Sequence, residues 1–266
     1  MVESQVTTKQ TLFSTKKNSS DTIEYVTLGS IMPYKVSPFN WGSLASFMDP
    51  SIYKWWLNGN ATGYNLLKPD GITPLNPLPP PNHVYYNDSS ISIQWIKTGK
   101  YTIRVNEKSM PKPGITTCDK GSDIQTLDIV VADRPTVAWD GPTLKGGCGM
   151  DNATQYVPLL LKGSKEITIT YTLDFTPQTG TVTTLANQSV NFTVTKNDDT
   201  TSGSIPITIP QGNYGKYEIT ITAITDKISS KCGISSQPSD IPSSKYTLAV
   251  FPMLESTPIK FVKELP

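Results

Sequence analysis

The chain has 266 residues, a net charge of +1 and 17 % charged residues, which is room for one large domain or two of ordinary size. So weak a charge provides no basic field to gather phosphates, and nucleic acid is not expected as a partner. No apolar run approaches the length of a membrane span.

With 18 Gly and 22 Pro among abundant Thr, Ser, Val and Ile, the composition favours many short strands over helices. Residues 1–21 are polar and without periodicity, and read as a flexible arm or as an edge strand added to something else. Strands are expected to begin within Thr22–Val36, most clearly at Ile23-Glu24-Tyr25-Val26.

An insert over residues 37–82 holds Phe39, Trp41, Phe47, Tyr53, Trp55 and Trp56 and the run Pro77-Leu78-Pro79-Pro80-Pro81. Tyr53 to Gly59 reads as a strand ending in an Asn-Gly turn. Two readings of the aromatics stand side by side. Tyr53, Trp55 and Trp56 form a platform for sugar rings or a partner protein, or one Trp fills the core and the others cover a long loop.

Ile91 to Trp95 alternates as a strand, and Lys97-Thr98-Gly99 turns into Gly99-Lys100-Tyr101-Thr102-Ile103-Arg104-Val105. That stretch recurs as Gly215-Lys216-Tyr217-Glu218-Ile219-Thr220-Ile221. In both copies alternate residues are apolar, the period of a strand buried on one face. After each copy comes a cysteine, Cys118 and then Cys232, and after each cysteine another alternating run. The repeat predicts two units: residues 22–132, carrying the aromatic insert, and residues 136–251. Ala132-Asp133-Arg134-Pro135 is the expected linker, and 252–266 a tail. The second half shows about seven short alternating runs, which suits an immunoglobulin-like β-sandwich. The expected fold is therefore all-β, with two such sandwiches in series.

Three cysteines are too few for metal clusters of the CxxC kind. The positions of Cys148 and Cys232 suit a disulfide within the second unit, closing a loop of about 85 residues and contributing roughly 4–5 kcal/mol in the chain-entropy model. The alternative is two free buried thiols. Cys118 is left over as a free thiol or a link to another chain. Met1 to Gln5 lacks a signal-peptide core. Either the protein stays inside, or the numbering begins after a removed leader; the cysteines favour the second.

The order Cys148-Gly149, Leu159-Leu160-Leu161-Lys162-Gly163 and Ile167–Leu173 resembles the immunoglobulin-like and PKD-like repeats of secreted and surface proteins of Bacteroidota. So does Gly215-Lys216-Tyr217-x-Ile219 followed by Asp226 and Cys232-Gly233. The resemblance implies export to the surface or periplasm, an association with gliding motility or type IX secretion, and protein partners at the envelope. The sorting domain that type IX cargo carries at its C-terminus is not evident.

Chemistry is sparse. The one His, His83, sits in a proline-flanked loop without a nucleophile beside it, and no GxSxG, HExxH or P-loop pattern occurs. Asn197-Asp198-Asp199 reads as a hairpin turn rather than a calcium site. Neither a catalytic residue, a metal ligand nor a cofactor is expected. The reading is a non-catalytic exported module acting through protein–protein contact, with a carbohydrate-binding module using exposed Trp side chains as the alternative.

Overall fold

The computed structural model describes residues 11–12, 23–38, 40–75, 83–86, 88–115, 124–194 and 200–253. They fall into two compact units. The first takes the chain up to Arg134 and also Lys227–Ile234; the second takes Pro135–Asp226 and the chain from Ser235.

The first unit contains β1 (Thr11–Leu12), β2 (Ile23–Thr27), β3 (Ile31–Lys35), β4 (Met48–Asn58), β5 (Tyr64–Leu67), β6 (His83–Tyr86), β7 (Ser90–Trp95), β8 (Gly99–Pro111) and β9 (Gln125–Ala132). One sheet runs β1-β3-β7-β5 and the other β2-β9-β8-β4-β6. Pairing is antiparallel except for β1 with β3 and β2 with β9. The expected alternation places Tyr101, Ile103 and Val105 inward. They meet Tyr34, Ile91, Ile93 and Trp95 from the opposing sheet in one core.

The second unit contains β10 (Thr136–Trp139), β11 (Leu144–Cys148), β12 (Ala153–Lys162), β13 (Glu166–Pro177), β14 (Thr183–Thr193), β15 (Thr200–Ile209), β16 (Gly215–Asp226) and β17 (Tyr246–Phe251). Its sheets run β10-β12-β15 and β11-β17-β16-β13-β14. Val157, Leu159, Leu161 and Ile205 from the first sheet pack on Ile169, Ile219 and Leu248 from the second. Leu144-Lys145-Gly146-Gly147-Cys148 has no alternation to announce it, yet pairs in parallel with β17.

Both units are thus all-β sandwiches in which an early strand lies parallel beside the last one. Both also carry a tyrosine corner, a hallmark of immunoglobulin-like sandwiches. The Tyr101 hydroxyl donates to the Lys97 carbonyl at 3.0 Å, and the Tyr217 hydroxyl to the Asn213 carbonyl at 3.3 Å. The glycine that opens each repeat copy has a physical reason too. Gly99 and Gly215 have φ of 139° and 150°, a region L side chains rarely enter.

The segment Lys227–Ile234 departs from the expected boundary, for it completes the first unit although it lies deep in the second half of the sequence. Its helix α1 (Lys227–Lys231) lies against β2. The Lys231 ammonium donates to Glu24 Oε1 at 2.6 Å, and Cys232 packs against the first unit's core. The expected Cys148–Cys232 disulfide is therefore corrected: both are free thiols. Cys148 lies exposed at the end of β11 in the second unit, while Cys232 belongs to the first. Sequence separation suited a bridge, but the chain places the two sulfurs in different units.

Candidate functional site

Alternation along β4 divides the residues of the aromatic insert between two environments. Tyr53, Trp55 and Leu57 point inward, and Trp55 has no exposed surface at all. Lys54 and Trp56 face the other way, with the Lys54 ammonium 5.6 Å from the Trp56 ring centroid, a cation–π distance. Trp55 consequently cannot offer its face to a sugar or a partner; the structure uses it as core, and Tyr53 is buried beside it with an edge on a cleft wall. Trp95 is equally buried and donates its indole N–H to the Tyr34 hydroxyl at 3.2 Å, so two Trp fill the core where one was expected. Among the three expected site residues only Trp56, half-buried, keeps an outward surface.

Cys118, Phe39, the proline run, Asn197 to Asp199 and the tail beyond Met253 lie outside the described residues. His83 opens β6 and pairs with Trp56, so it stands in a short strand and not in a loop.

The surface that stands out is an edge. In each sheet the two outer strands have one side without a strand partner among the described residues. Such edges invite pairing with another chain, and natural sandwiches keep them short, charged or interrupted. Six of the eight follow that rule: β1, β2, β5, β6, β10 and β11 span between 2 and 5 residues. β14 and β15 do not, with 11 and 10 residues and no Asp, Glu, Lys or Arg in either.

β15 carries Pro206, whose ring nitrogen cannot donate. β14 has no proline. Its pairing with β13 shifts between Tyr171 and Leu173, leaving one extra residue on β14 near Asn187, which has φ of 55°. Beyond that bulge, Gln188-Ser189-Val190-Asn191-Phe192-Thr193 continues in unbroken register opposite Glu166 to Tyr171. Val190 and Phe192 lean on the core while Ser189 and Asn191 are exposed. A six-residue, uncharged, β-prone segment with a free side is what an incoming strand requires. The cue in the sequence is the missing charge over Thr183–Thr193.

No helix among the described residues is long and apolar enough to cross a membrane.

No protein-family model matches the chain, and no curated protein does. Among solved structures it is similar to the I67–I69 I-band fragment of titin, at 10 % identity and a TM-score of 0.31, over 88 % of this chain and 63 % of that one. It is also similar to the calcium-binding domain CBD12 of CALX1.1, at 8 % identity and a TM-score of 0.28, over 86 % and 97 %. A third is the CsuC–CsuE chaperone–tip adhesion subunit complex of the Csu pili of Acinetobacter baumannii, at 9 % identity and a TM-score of 0.26, over 77 % and 97 %. The chain therefore spans less than two thirds of the titin fragment. Likenesses this slight carry nothing beyond themselves, and the immunoglobulin-like architecture stands on the strand order and the tyrosine corners.

Proposed function

We propose that the chain is a non-catalytic binding and structural module of a bacterial envelope assembly, exported to its place of work, and that it joins a protein partner by accepting a strand along β14. The observation supporting this is the uncharged outer edge of Thr183–Thr193, the longest edge strand among the described residues. Backbone groups there are already extended, so a partner strand gains a ladder of hydrogen bonds without reordering the sandwich. Affinity comes from the backbone, and specificity from whichever side chains flank Val190 and Phe192. The surface location, and the tie to gliding or type IX secretion, rest on the resemblance of the repeats.

The carbohydrate reading loses its main support, because Trp55 is core. The test compares wild type with Ser189→Lys/Asn191→Lys and Ser189→Glu/Asn191→Glu in co-purification from envelope extract. Wild type should retain a stoichiometric protein, and both edge variants should lose it with unchanged thermal midpoints. Retention by both variants would overturn the strand-addition reading. Glycan binding that disappears in Trp56→Ala would favour the alternative.

A further inference from the structure

A second feature lies in the first unit, far from β14 in the sequence. Between the end of β3 and the start of β4, a short 3-10 helix (Gly42–Phe47) stands out from the sandwich. Both its ends are tied. The Gly42 N–H donates to Asn40 Oδ1 at 2.9 Å, and Lys112 binds back twice, through its N–H to the Phe47 carbonyl and its ammonium to the Ser46 carbonyl. Immediately after it β4 bulges: Asp49 pairs with Met110 and Ile52 with Lys108, leaving one extra residue on β4. Bulges of this kind re-aim side chains next to functional sites. Opposite, Asp88 holds a tight turn by accepting from the Ser90 N–H and hydroxyl through Oδ1.

These segments line an open cleft of about 610 Å³, within the usual range of roughly 300–1,000 Å³ for small-ligand sites. Its walls combine Trp41, Met48 and Tyr53 with the carboxylates of Asp49 and Asp88, and among the described residues contain no Lys, Arg or His. Among the described residues no hydrogen bond or ion pair engages the Asp49 carboxylate. A third carboxylate stands behind the wall, where Glu107 Oε1 accepts from the Tyr53 hydroxyl at 3.3 Å.

We propose that this cleft is a binding site for an alkylammonium group. Carboxylates accept hydrogen bonds and attract positive charge, and aromatic faces do the same through their quadrupole. No described wall residue offers a countercharge to an anion. A neutral sugar could use the ring faces, but it would draw no Coulombic attraction from the two carboxylates. Burial, and then Glu107 with a smaller contribution from Asp88, push Tyr53 up to about 12. The ammonium could belong to a free amine or to a lysine side chain of a peptide, for the walls contact only the charged head and its alkyl neighbours.

The experiment titrates the full chain with choline, with cadaverine and with the peptide acetyl-Gly-Lys-Gly-amide, following tryptophan fluorescence and backbone NMR shifts. Acetyl-Gly-Gln-Gly-amide and glucose serve as neutral arms. At least one ammonium probe should bind saturably and weaken about tenfold in Asp49→Asn and in Trp41→Ala, with further weakening at high salt. The Asp49 carboxylate supports no internal bond, so Asp49→Asn keeps the fold even if Trp41→Ala does not. Choline or cadaverine alone would indicate a free amine as the ligand, and the lysine peptide alone a protein side chain. The proposal is overturned if no ammonium probe binds, if glucose or the glutamine peptide binds as well as the cations, or if Asp49→Asn binds like wild type. None of these outcomes bears on β14, which lies in the other unit.

Discussion

The Tyr217 hydroxyl donates to the Asn213 carbonyl, four residues back along the chain, and Tyr101 makes the same bond to Lys97. The two tyrosines are the third residues of the two repeat copies. What the repeat preserves is thus a corner, where a loop is pinned to the strand it feeds.

Removing either hydroxyl should be felt as lost stability with the fold retained. Tyr101→Phe and Tyr217→Phe are each expected to cost about 1–1.5 kcal/mol, the net worth of one partly buried hydrogen bond. Gly63→Ala should cost more, about 2–3 kcal/mol, since a Cβ at Gly63 would collide with the Tyr101 hydroxyl. Denaturant titration checks each value; a Tyr101→Phe midpoint equal to wild type would make the corner decorative.

Much of the sandwich was legible because alternation depends on burial, and burial is written residue by residue. The same cue could have separated the neighbouring tryptophans. Lys54 and Asn58 share their strand face with Trp56, so that face is outward and Trp55 is core. Other features had no local cue. β11 is held by its parallel partner and not by its own composition. The return of Lys227–Ile234 is a tertiary choice, and the walls of the cleft come from segments dozens of residues apart.

That return gives a prediction across the sequence. Substitutions in α1 should destabilise the first unit, although they lie in the second half of the chain. Ile228→Ala is expected to cost about 2–3 kcal/mol as a buried truncation. Lys231→Met leaves the Glu24 carboxylate, 9 % exposed, without its cation. That should cost about 1–2 kcal/mol, less than for a fully buried pair because Lys231 is half exposed. Four of the five tryptophans (Trp41, Trp55, Trp56 and Trp95) belong to the first unit. Tryptophan fluorescence in a Trp139→Phe background isolates the relevant transition.

The thiols should behave as two independent groups. Cys148 is exposed and should alkylate readily in the native protein, whereas burial pushes the Cys232 thiol up and slows its reaction. Peptide mapping after timed alkylation reads both rates. A 148–232 cross-linked peptide in a non-reducing digest would contradict the structure.

Alkaline pH should loosen both units. Burial raises Tyr34 strongly and Tyr53 to about 12, with Tyr101, Tyr171, Tyr217 and Tyr246 moved the same way. A folded pKa above the unfolded value of about 10 contributes stability that is complete below pH 10 and is lost as pH rises through the folded value. The denaturation midpoint should therefore fall steadily above about pH 10. Tyrosinate absorbance should appear in two phases, exposed residues first and buried ones with unfolding.

Backbone amide hydrogen exchange across Gln188–Thr193, with and without the co-purified partner, tests the central claim most directly. In the free protein the amides facing away from β13 should exchange quickly, and in the complex they should be protected as an added strand covers them. Unchanged exchange along β14, with protection arising elsewhere in either unit, would contradict it.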